Sequence, residues 1–272
     1  MELGKYETNK IYNEDCYESL KNIPDKSIDL ICIDIPYDFE GNGGGGCFGT
    51  KKREYHKEYE KVSINTNSTR IDRLKRKSTA ETCDIAFGID YKLLDELVRI
   101  MRKINIYIWC SKKQLPTILN YFIDKNCSWD LITWHKTNAL PACNNTYQND
   151  TEYCLFAREK GVMVYGTVES KVKWYVTSTN KEDKELFGHP TIKPLNIIKN
   201  LIENSTKENE IVLDCFIGSG TTAVACKELK RRFIGFEINK EYFEIAMDRI
   251  NGITKNGQTT IFTDFEQVEL EI

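Results

Sequence analysis

The sequence predicts an α/β fold in which a mostly parallel sheet is doubly wound, with helices on both of its faces. The first observation behind this prediction is that short apolar runs rich in β-branched residues alternate along the chain with segments whose apolar residues recur at helical spacing. The second is size. The chain has 272 residues, of which 40% are hydrophobic and 29% charged, so one large α/β domain can bury a substantial core.

The order of the predicted elements supports the parallel sheet. Residues 27–33 form a continuous apolar run that ends at Asp34 and Pro36, which is typical of a buried strand. Helices and strands then alternate in chain order. The predictions are a helix over 91–101, a strand over 105–109, a helix over 115–123, strands over 129–134 and 210–214, a helix over 220–229 and a strand over 232–236.

Two stretches lack this periodicity. Residues 39–90 begin with a glycine-rich run and hold ten basic against four acidic residues between Lys51 and Lys77, a local net charge of +6. Such a charge run usually marks a solvated loop, and it is equally consistent with an arm that holds a polyanion. Residues 157–188 are the second stretch. We expect both to decorate a single domain formed by residues 1–272.

Charge and composition exclude several classes of protein. The net charge of −3 provides no global basic field, so any contact with nucleic acid must be local. Ten cysteines, none spaced C-x-x-C, are typical of reduced thiols in a cytoplasmic enzyme. The three histidines lack metal-type spacing to cysteine pairs, and no apolar run reaches the roughly 18 residues of a membrane helix. We therefore expect neither a metal site nor a membrane span.

A glycine-rich turn near the C-terminus has the features of a cofactor site. Residues 214–223 follow a predicted strand and open a predicted helix, and their glycines allow a ligand to approach the backbone. Gly218, Gly220 and Ala223 also fit the dinucleotide pattern G-x-G-x-x-A, so the glycines alone do not identify the cofactor. Glu237 ends the next strand, where a carboxylate can accept both hydroxyls of a ribose. These residues predict a cofactor that contains adenosine.

A second candidate site follows the predicted strand over 27–33. Asp34-Ile35-Pro36-Tyr37 lies at the carboxyl end of that strand, the edge at which open α/β sheets place their chemistry. A carboxylate there can accept a hydrogen bond from an exocyclic amino group. The proline stiffens the turn, and the tyrosine ring offers a face on which a base can stack.

Together these motifs resemble the amino-group DNA methyltransferases, whose motifs read D-P-P-Y and F-x-G-x-G. The order of the motifs, with the catalytic one first, resembles the beta subgroup of that family. Further segments support the resemblance, which spans about residues 10–250 apart from the basic insert. They are the opening residues 13–15 and 20–24, the middle block 134–141 with 151–153, and the H-P-T-I-K-P element at 189–194.

The resemblance implies a seven-stranded, Rossmann-like methyltransferase fold with circularly permuted motif order, and S-adenosylmethionine as methyl donor. Asp15 would lie near the adenine of the donor, Glu237 near its ribose and residues 216–220 around its methionine part. Thr191 and Lys193 would hold its carboxylate. The implied cofactor-binding residues are Asp15, Thr191, Lys193, Asp214, Phe216, Gly218, Ser219, Gly220, Thr221 and Glu237.

The resemblance also implies a mechanism. Asp34 and the carbonyl of Ile35 would accept the two hydrogens of a base amino group, and Tyr37 would stack on the extruded base. The implied catalytic residues are Asp34, Ile35, Pro36 and Tyr37. Ile35 departs from the family, in which proline is usual. The backbone carbonyl survives this change, but rigidity is reduced, so a catalytically weak DNA-binding relative is one alternative.

DNA is the expected partner, and a homodimer and a companion restriction endonuclease would be typical of the family. The family commonly reads DNA sequence in the segment that corresponds to residues 157–188, and the basic insert would share that work. The predicted DNA-binding residues are Lys51, Lys52, Arg53, Arg73, Lys75, Arg76, Lys77, Lys136 and Asn138.

The reaction itself has competing interpretations. Asp rather than Ser at position 34 favours adenine N6 over cytosine N4 as the methylated group. Cytosine C5 chemistry needs a Pro-Cys nucleophile, which Pro141-Ala142-Cys143 does not supply. A nicotinamide oxidoreductase would use Gly218, Gly220 and Glu237 but leaves residues 34–37 and 189–194 without a role.

Overall fold

The computed structural model describes residues 1–36, 90–139, 145, 147–179, 181–187 and 192–256. Within these ranges the chain forms an eight-stranded sheet and a separate two-stranded hairpin, β1 (Glu2–Leu3) with β2 (Tyr6–Glu7). The sheet strands, in spatial order, are β3 (Lys10–Tyr12), β10 (Arg232–Phe236), β9 (Ile211–Asp214), β4 (Leu30–Asp34), β5 (Asn105–Cys110), β7 (Thr151–Arg158), β6 (Ser128–Lys136) and β8 (Trp174–Thr177).

Most neighbouring strands in the sheet run parallel. β3, β10, β9, β4 and β5 form a continuous parallel block, with Ile31 of β4 opposite both Leu213 of β9 and Ile106 of β5. β7 runs antiparallel to both of its neighbours, β5 and β6. All strands of the parallel block therefore end at the same edge of the sheet.

Helices cover both faces because successive side chains of each strand point to opposite sides. On one face Ile31 and Ile33 of β4 pack with the helices that begin at Cys16, Tyr91 and Leu115, and on the other Leu30 and Cys32 pack with those that begin at Leu195, Thr221 and Lys240. The helices are α1 (Cys16–Ser19), α2 (Tyr91–Ile100), α3 (Leu115–Asp124), α4 (Lys181–Phe187), α5 (Leu195–Ser205), α6 (Thr221–Glu228) and α7 (Lys240–Ile250), with a 3-10 turn at Leu20–Asn22.

The doubly wound, mostly parallel architecture predicted from the sequence is confirmed, and so are the predicted helices and strands, to within three residues at their ends. The count of seven strands was wrong, because the sheet has eight. β3, β7 and β8 are the sheet strands without a predicted counterpart, and β8 lies inside the stretch 157–188 and pairs in parallel with the end of β6. β8 is only four residues long, and its residues are exposed or half-buried.

Among the described residues, no helix combines the length and the apolar character needed to cross a bilayer.

Candidate active site

Four adjacent parallel strands each lead into a carboxylate at one edge of the sheet. Asp34 is the last residue of β4 and Asp214 the last residue of β9, the strand paired with it. Glu237 directly follows β10, and Asp15 comes three residues after β3. The topology thus gathers segments that are about 200 positions apart in the chain, and it joins both candidate sites of the sequence into one edge.

The turn between β9 and α6 is held by these carboxylates. The amide of Phe216 donates to Asp214 Oδ1 at 3.0 Å, and the amide of Gly218 donates to Glu237 Oε2 at 3.0 Å. These two contacts between backbone amides and carboxylates of the chain restrain the shape of the turn.

Glu237 is held in a fixed orientation. Its carboxylate also accepts from the amide of Asn239 at 2.8 Å, and the Asn13 side chain donates to its backbone carbonyl at 2.8 Å. Glu237 is only 8% exposed. Glu237 therefore presents an oriented carboxylate, a hydrogen-bond acceptor, at the end of β10.

Asp15 and Asp214 have different local roles. The Asp15 side chain accepts from the amide of Tyr17 at 2.9 Å and caps the N-terminus of α1, which keeps it half-exposed at the edge. Asp214 is buried, and burial raises the pKa of its carboxyl to about 7, although hydrogen bonds from Thr222 and the Phe216 amide oppose this shift.

Asp34 is bound by a lysine from a distant part of the chain. The Lys193 ammonium lies 2.7 Å from Asp34 Oδ2 and 2.8 Å from Glu152 Oε2, a residue of β7. The Lys193 side chain is only 11% exposed. Burial favours its neutral form, but the two carboxylates outweigh burial and raise the pKa of Lys193 above its ordinary value.

Glu152 is a site residue that our sequence analysis missed. It falls in the middle block at 151–153, but nothing in that segment shows which residue it contacts. The position of Glu152 depends on strand register. β7 pairs with β5 as far as Tyr153, and Glu152 is the next residue beyond these pairs.

The residues after Asp34 are held by backbone contacts. The amide of Ile35 donates to the Trp109 carbonyl at 3.2 Å, and the side chain of Gln114 donates to the Pro36 carbonyl at 3.0 Å. The Ile35 side chain is buried in the core. Packing and hydrogen bonding therefore restrain a position at which the related motif has proline.

Two predicted DNA-binding residues lie within the described part of the chain. The Lys136 ammonium forms an ion pair with Glu152 at 2.5 Å, so its nearest charged partner belongs to the protein itself. Asn138 is exposed, and its side chain accepts from the amide of Thr179 at 2.7 Å.

The remaining predicted cofactor residues belong to the turn and the start of α6. Gly218 and Gly220 both have positive φ, 50° and 81°. Ser219 and Thr221 are buried, and the Arg249 guanidinium donates to the hydroxyl of each, at 3.2 and 2.7 Å. The predicted residues that lie outside the described ranges are Tyr37, Thr191, Lys51, Lys52, Arg53, Arg73, Lys75, Arg76 and Lys77.

Known proteins resemble this chain over most of its length. The family model described as DNA methylase matches residues 28–248. The Type II methyltransferase M2.LlaDCHI of Lactococcus lactis subsp. cremoris is 32% identical over 259 residues, covering 89% of this chain and 88% of the relative. The Type II methyltransferase M2.DpnII of Streptococcus pneumoniae is 29% identical over 268 residues, covering 90% of this chain and 91% of the relative.

Solved structures support the fold. The M1.HpyAVI–SAM complex covers 88% of this chain and 98% of its own, with a TM-score of 0.59 and 25% identity. The cytosine-N4-specific PvuII DNA methyltransferase has a TM-score of 0.61 at 15% identity and covers 88% of this chain and 85% of its own, a likeness of fold alone. The predicted Rossmann-like methyltransferase fold is thereby confirmed. The chain belongs to the amino-group DNA methyltransferase family, in which S-adenosylmethionine is the methyl donor.

Proposed function

We propose that this chain transfers a methyl group from S-adenosylmethionine to the N6 amino group of adenine within a short DNA sequence. The observation that carries the proposal is the pairing of β4 with β9, which places the Asp34 motif beside the glycine-rich turn that follows Asp214. Methyl transfer to a weakly nucleophilic amine depends mainly on positioning, so two such sites must adjoin.

The charge of the edge fits this donor. Asp15, Asp34, Asp214 and Glu237 are all carboxylates at the ends of adjacent strands, and Asp214 is close enough to Asp34 and Glu237 for their charges to raise its pKa. S-adenosylmethionine carries a sulfonium and an ammonium group, both of which such an edge attracts. The pyrophosphate of a dinucleotide would be repelled, which argues against a nicotinamide oxidoreductase.

Different residues of this edge would bind different parts of the donor. Glu237 would accept the ribose hydroxyls, Asp15 would lie near the adenine, and residues 216–220 would surround the methionine part. Thr191 and Lys193 were expected to hold the carboxylate of the donor. The ion pairs of Lys193 with Asp34 and Glu152 favour instead a position between the donor and the target base.

On the substrate side, Asp34 and the carbonyl of Ile35 would accept the two hydrogens of the adenine amino group. This geometry directs the nitrogen lone pair towards the donor, which supplies an electrophilic methyl group when bound. Pro36 would shape the turn, and Tyr37 would stack on the extruded base. The contacts that hold Ile35 and Pro36 support an active enzyme rather than a catalytically weak relative.

Adenine is preferred over cytosine because position 34 is aspartate, whereas the cytosine enzymes that the sequence resembles more often have serine there. Both reactions methylate an exocyclic amine, and the same edge of the sheet would serve either. The experiment therefore has to identify the modified base.

The proposal is tested by incubating the purified chain with unmethylated genomic DNA and methyl-labelled S-adenosylmethionine, then digesting the DNA to nucleosides. We expect the label in N6-methyldeoxyadenosine. Label in N4-methyldeoxycytidine would show that the methylated base is cytosine rather than adenine. DNA without label would contradict the proposed methyltransferase activity.

A further inference from the structure

Four charged side chains form an alternating row beside the candidate catalytic carboxylate. Asp34 contacts Lys193 at 2.7 Å, Lys193 contacts Glu152 at 2.8 Å, and Glu152 contacts Lys136 at 2.5 Å. The four residues come from β4, the segment before α5, β7 and β6. Only Asp34 and Lys193 belong to the motifs that define the two sites.

Three members of the row are largely shielded from water, and the Asp34 side chain is 32% exposed. The side chains of Lys193 and Glu152 are 11% and 15% exposed, and that of Lys136 is 21% exposed. The Lys193 ammonium lies 5.4 Å from the centre of the Trp109 ring, and the Lys136 ammonium lies 5.3 Å from that of Trp134. Aromatic faces and opposite charges together stabilise both cations.

Glu152 stays ionised in this setting. Burial disfavours its charged form, but the two lysines outweigh burial and lower the pKa of the Glu152 carboxyl to about 2. Buried ion pairs of this kind contribute little net stability, since desolvation offsets much of the attraction between the charges. Stability alone thus gives no sufficient reason for four partly buried charges at this edge.

We infer that Glu152 is a positioning residue for methyl transfer. Glu152 shares the positive charge of Lys193 with Asp34, so that Asp34 remains a strong hydrogen-bond acceptor for the amino group of the base. This inference rests on the proposed function. With Glu152 in place, Lys193 orients one oxygen of Asp34 without fully neutralising it. Without the charge of Glu152, the Lys193 ammonium would interact more strongly with Asp34 and weaken it as an acceptor.

A pH test of this inference must take account of the other titratable groups that face Asp34. Lys193 faces it from the segment before α5, Asp214 from β9, and the thiols of Cys32, Cys110 and Cys154 from β4, β5 and β7. Burial raises the pKa of each thiol, so the cysteines stay neutral near pH 7. Burial raises the pKa of Asp214 to about 7, and Asp214 is kept in every variant, so each pH profile is compared with that of the wild type.

The test is Glu152→Gln, which keeps the shape of the side chain and removes its charge. We expect the single-turnover rate of methyl transfer near pH 7.5 to fall about tenfold, because a less basic acceptor is a poorer one. The acid limb of the pH–rate profile should move to lower pH. The KM for S-adenosylmethionine and the Kd for DNA should stay within about twofold, since Glu152 is assigned to neither ligand.

The matched control is Glu228→Gln, which removes a glutamate of similar exposure, 18%, that pairs with Lys199 at 2.5 Å at the far end of α6. It should leave both the rate and the pH profile unchanged. A Glu152→Gln enzyme whose acid limb stays at the wild-type pH would overturn the inference, even if its rate were lower, because a merely structural loss lowers the rate at every pH.

If Glu152→Gln alone fails to fold because Lys136 is left without its partner, the double variant Glu152→Gln/Lys136→Gln removes both charges together. The same shift of the acid limb is expected for it, and no shift overturns the inference. Failure of the proposed function would look different, since wild-type protein would then transfer no methyl group to DNA.

Discussion

Asp34 and Asp214 end two paired strands, yet their surroundings act on their charges in opposite ways. Asp34 contacts the Lys193 ammonium, which favours the ionised carboxylate. Asp214 contacts a backbone amide and the Thr222 hydroxyl inside the core, and burial raises its pKa to about 7. One edge of the sheet therefore holds a charged acceptor beside a carboxyl group that changes its charge near neutral pH.

Asp214 should make the stability of the fold depend on pH. A carboxyl whose pKa is higher in the folded than in the unfolded chain stabilises the fold fully below its ordinary pKa, and this contribution is lost as pH rises towards 7. Between pH 5 and pH 8 we expect wild type to lose about 2 to 3 kcal/mol more free energy of unfolding than Asp214→Asn. Urea unfolding of both proteins at the two pH values measures the difference, and equal losses would contradict the assignment.

At the scale of elements, α7 packs closely against the start of α6. The Arg249 side chain of α7 is buried and donates to Ser219 and Thr221, and Gly220 allows the two helices to approach. A Cβ atom on Gly220 would lie 3.2 Å from the Cβ and 3.3 Å from the carbonyl oxygen of Ala246. The turn therefore depends on a residue without a side chain.

Gly220→Ala should destabilise the protein more than a comparable substitution elsewhere. Gly161 has a similar φ, +89° against +81°, but a Cβ there would meet only the end of the Lys103 side chain, at 3.3 Å. We expect Gly161→Ala to cost about 1 kcal/mol through backbone strain, and Gly220→Ala about 1 to 2 kcal/mol more through crowding. Chemical denaturation gives both values. Similar losses in the two variants would show that the approach of α7 does not constrain the turn.

Several elements could be predicted from local sequence, and others could not. β4 and β5 are continuous apolar runs, and α2 places Leu93, Leu97 and Ile100 on one face, so their patterns identify them directly. β7 was missed because its apolar run, Cys154–Ala157, has only four residues, and so short a run does not distinguish a strand from a buried helix segment. Its antiparallel position between β5 and β6 depends on pairing across the sheet.

The candidate site shows the same division. The aspartate and glycine motifs are contiguous in sequence and were predictable. The contacts among Asp34, Lys193 and Glu152 join residues up to 159 positions apart, and they arise only when the sheet has formed.

At the scale of the whole molecule, a protein of net charge −3 with an acidic sheet edge is proposed to bind a polyanion. Favourable electrostatic contact must then come from local basic segments. The richest of these in the sequence is the span from Lys51 to Lys77, which lies outside the described residues. DNA affinity should therefore depend on a small part of the chain.

Replacing Lys75, Arg76 and Lys77 together by alanine should reduce the slope of log K against log salt by about 2 to 3, since each lost phosphate contact removes about 0.9. Lys26, Lys103 and Lys207 form the matched control, as they are exposed near the opposite ends of β4, β5 and β9. Their replacement should leave the slope unchanged. If both triple variants gave the wild-type slope, the basic insert would have no part in DNA binding.

The central claim is that a methyl-donor site adjoins a base-binding site that contains Asp34. The substitution Asp34→Ala tests this claim most directly. We measure single-turnover methyl transfer to DNA at saturating donor and, by calorimetry, the Kd for S-adenosylmethionine. Transfer should fall at least about 100-fold while the Kd for the donor stays within about threefold, because Asp34 is assigned to the amino group rather than to the donor. Transfer at the wild-type rate would contradict the account.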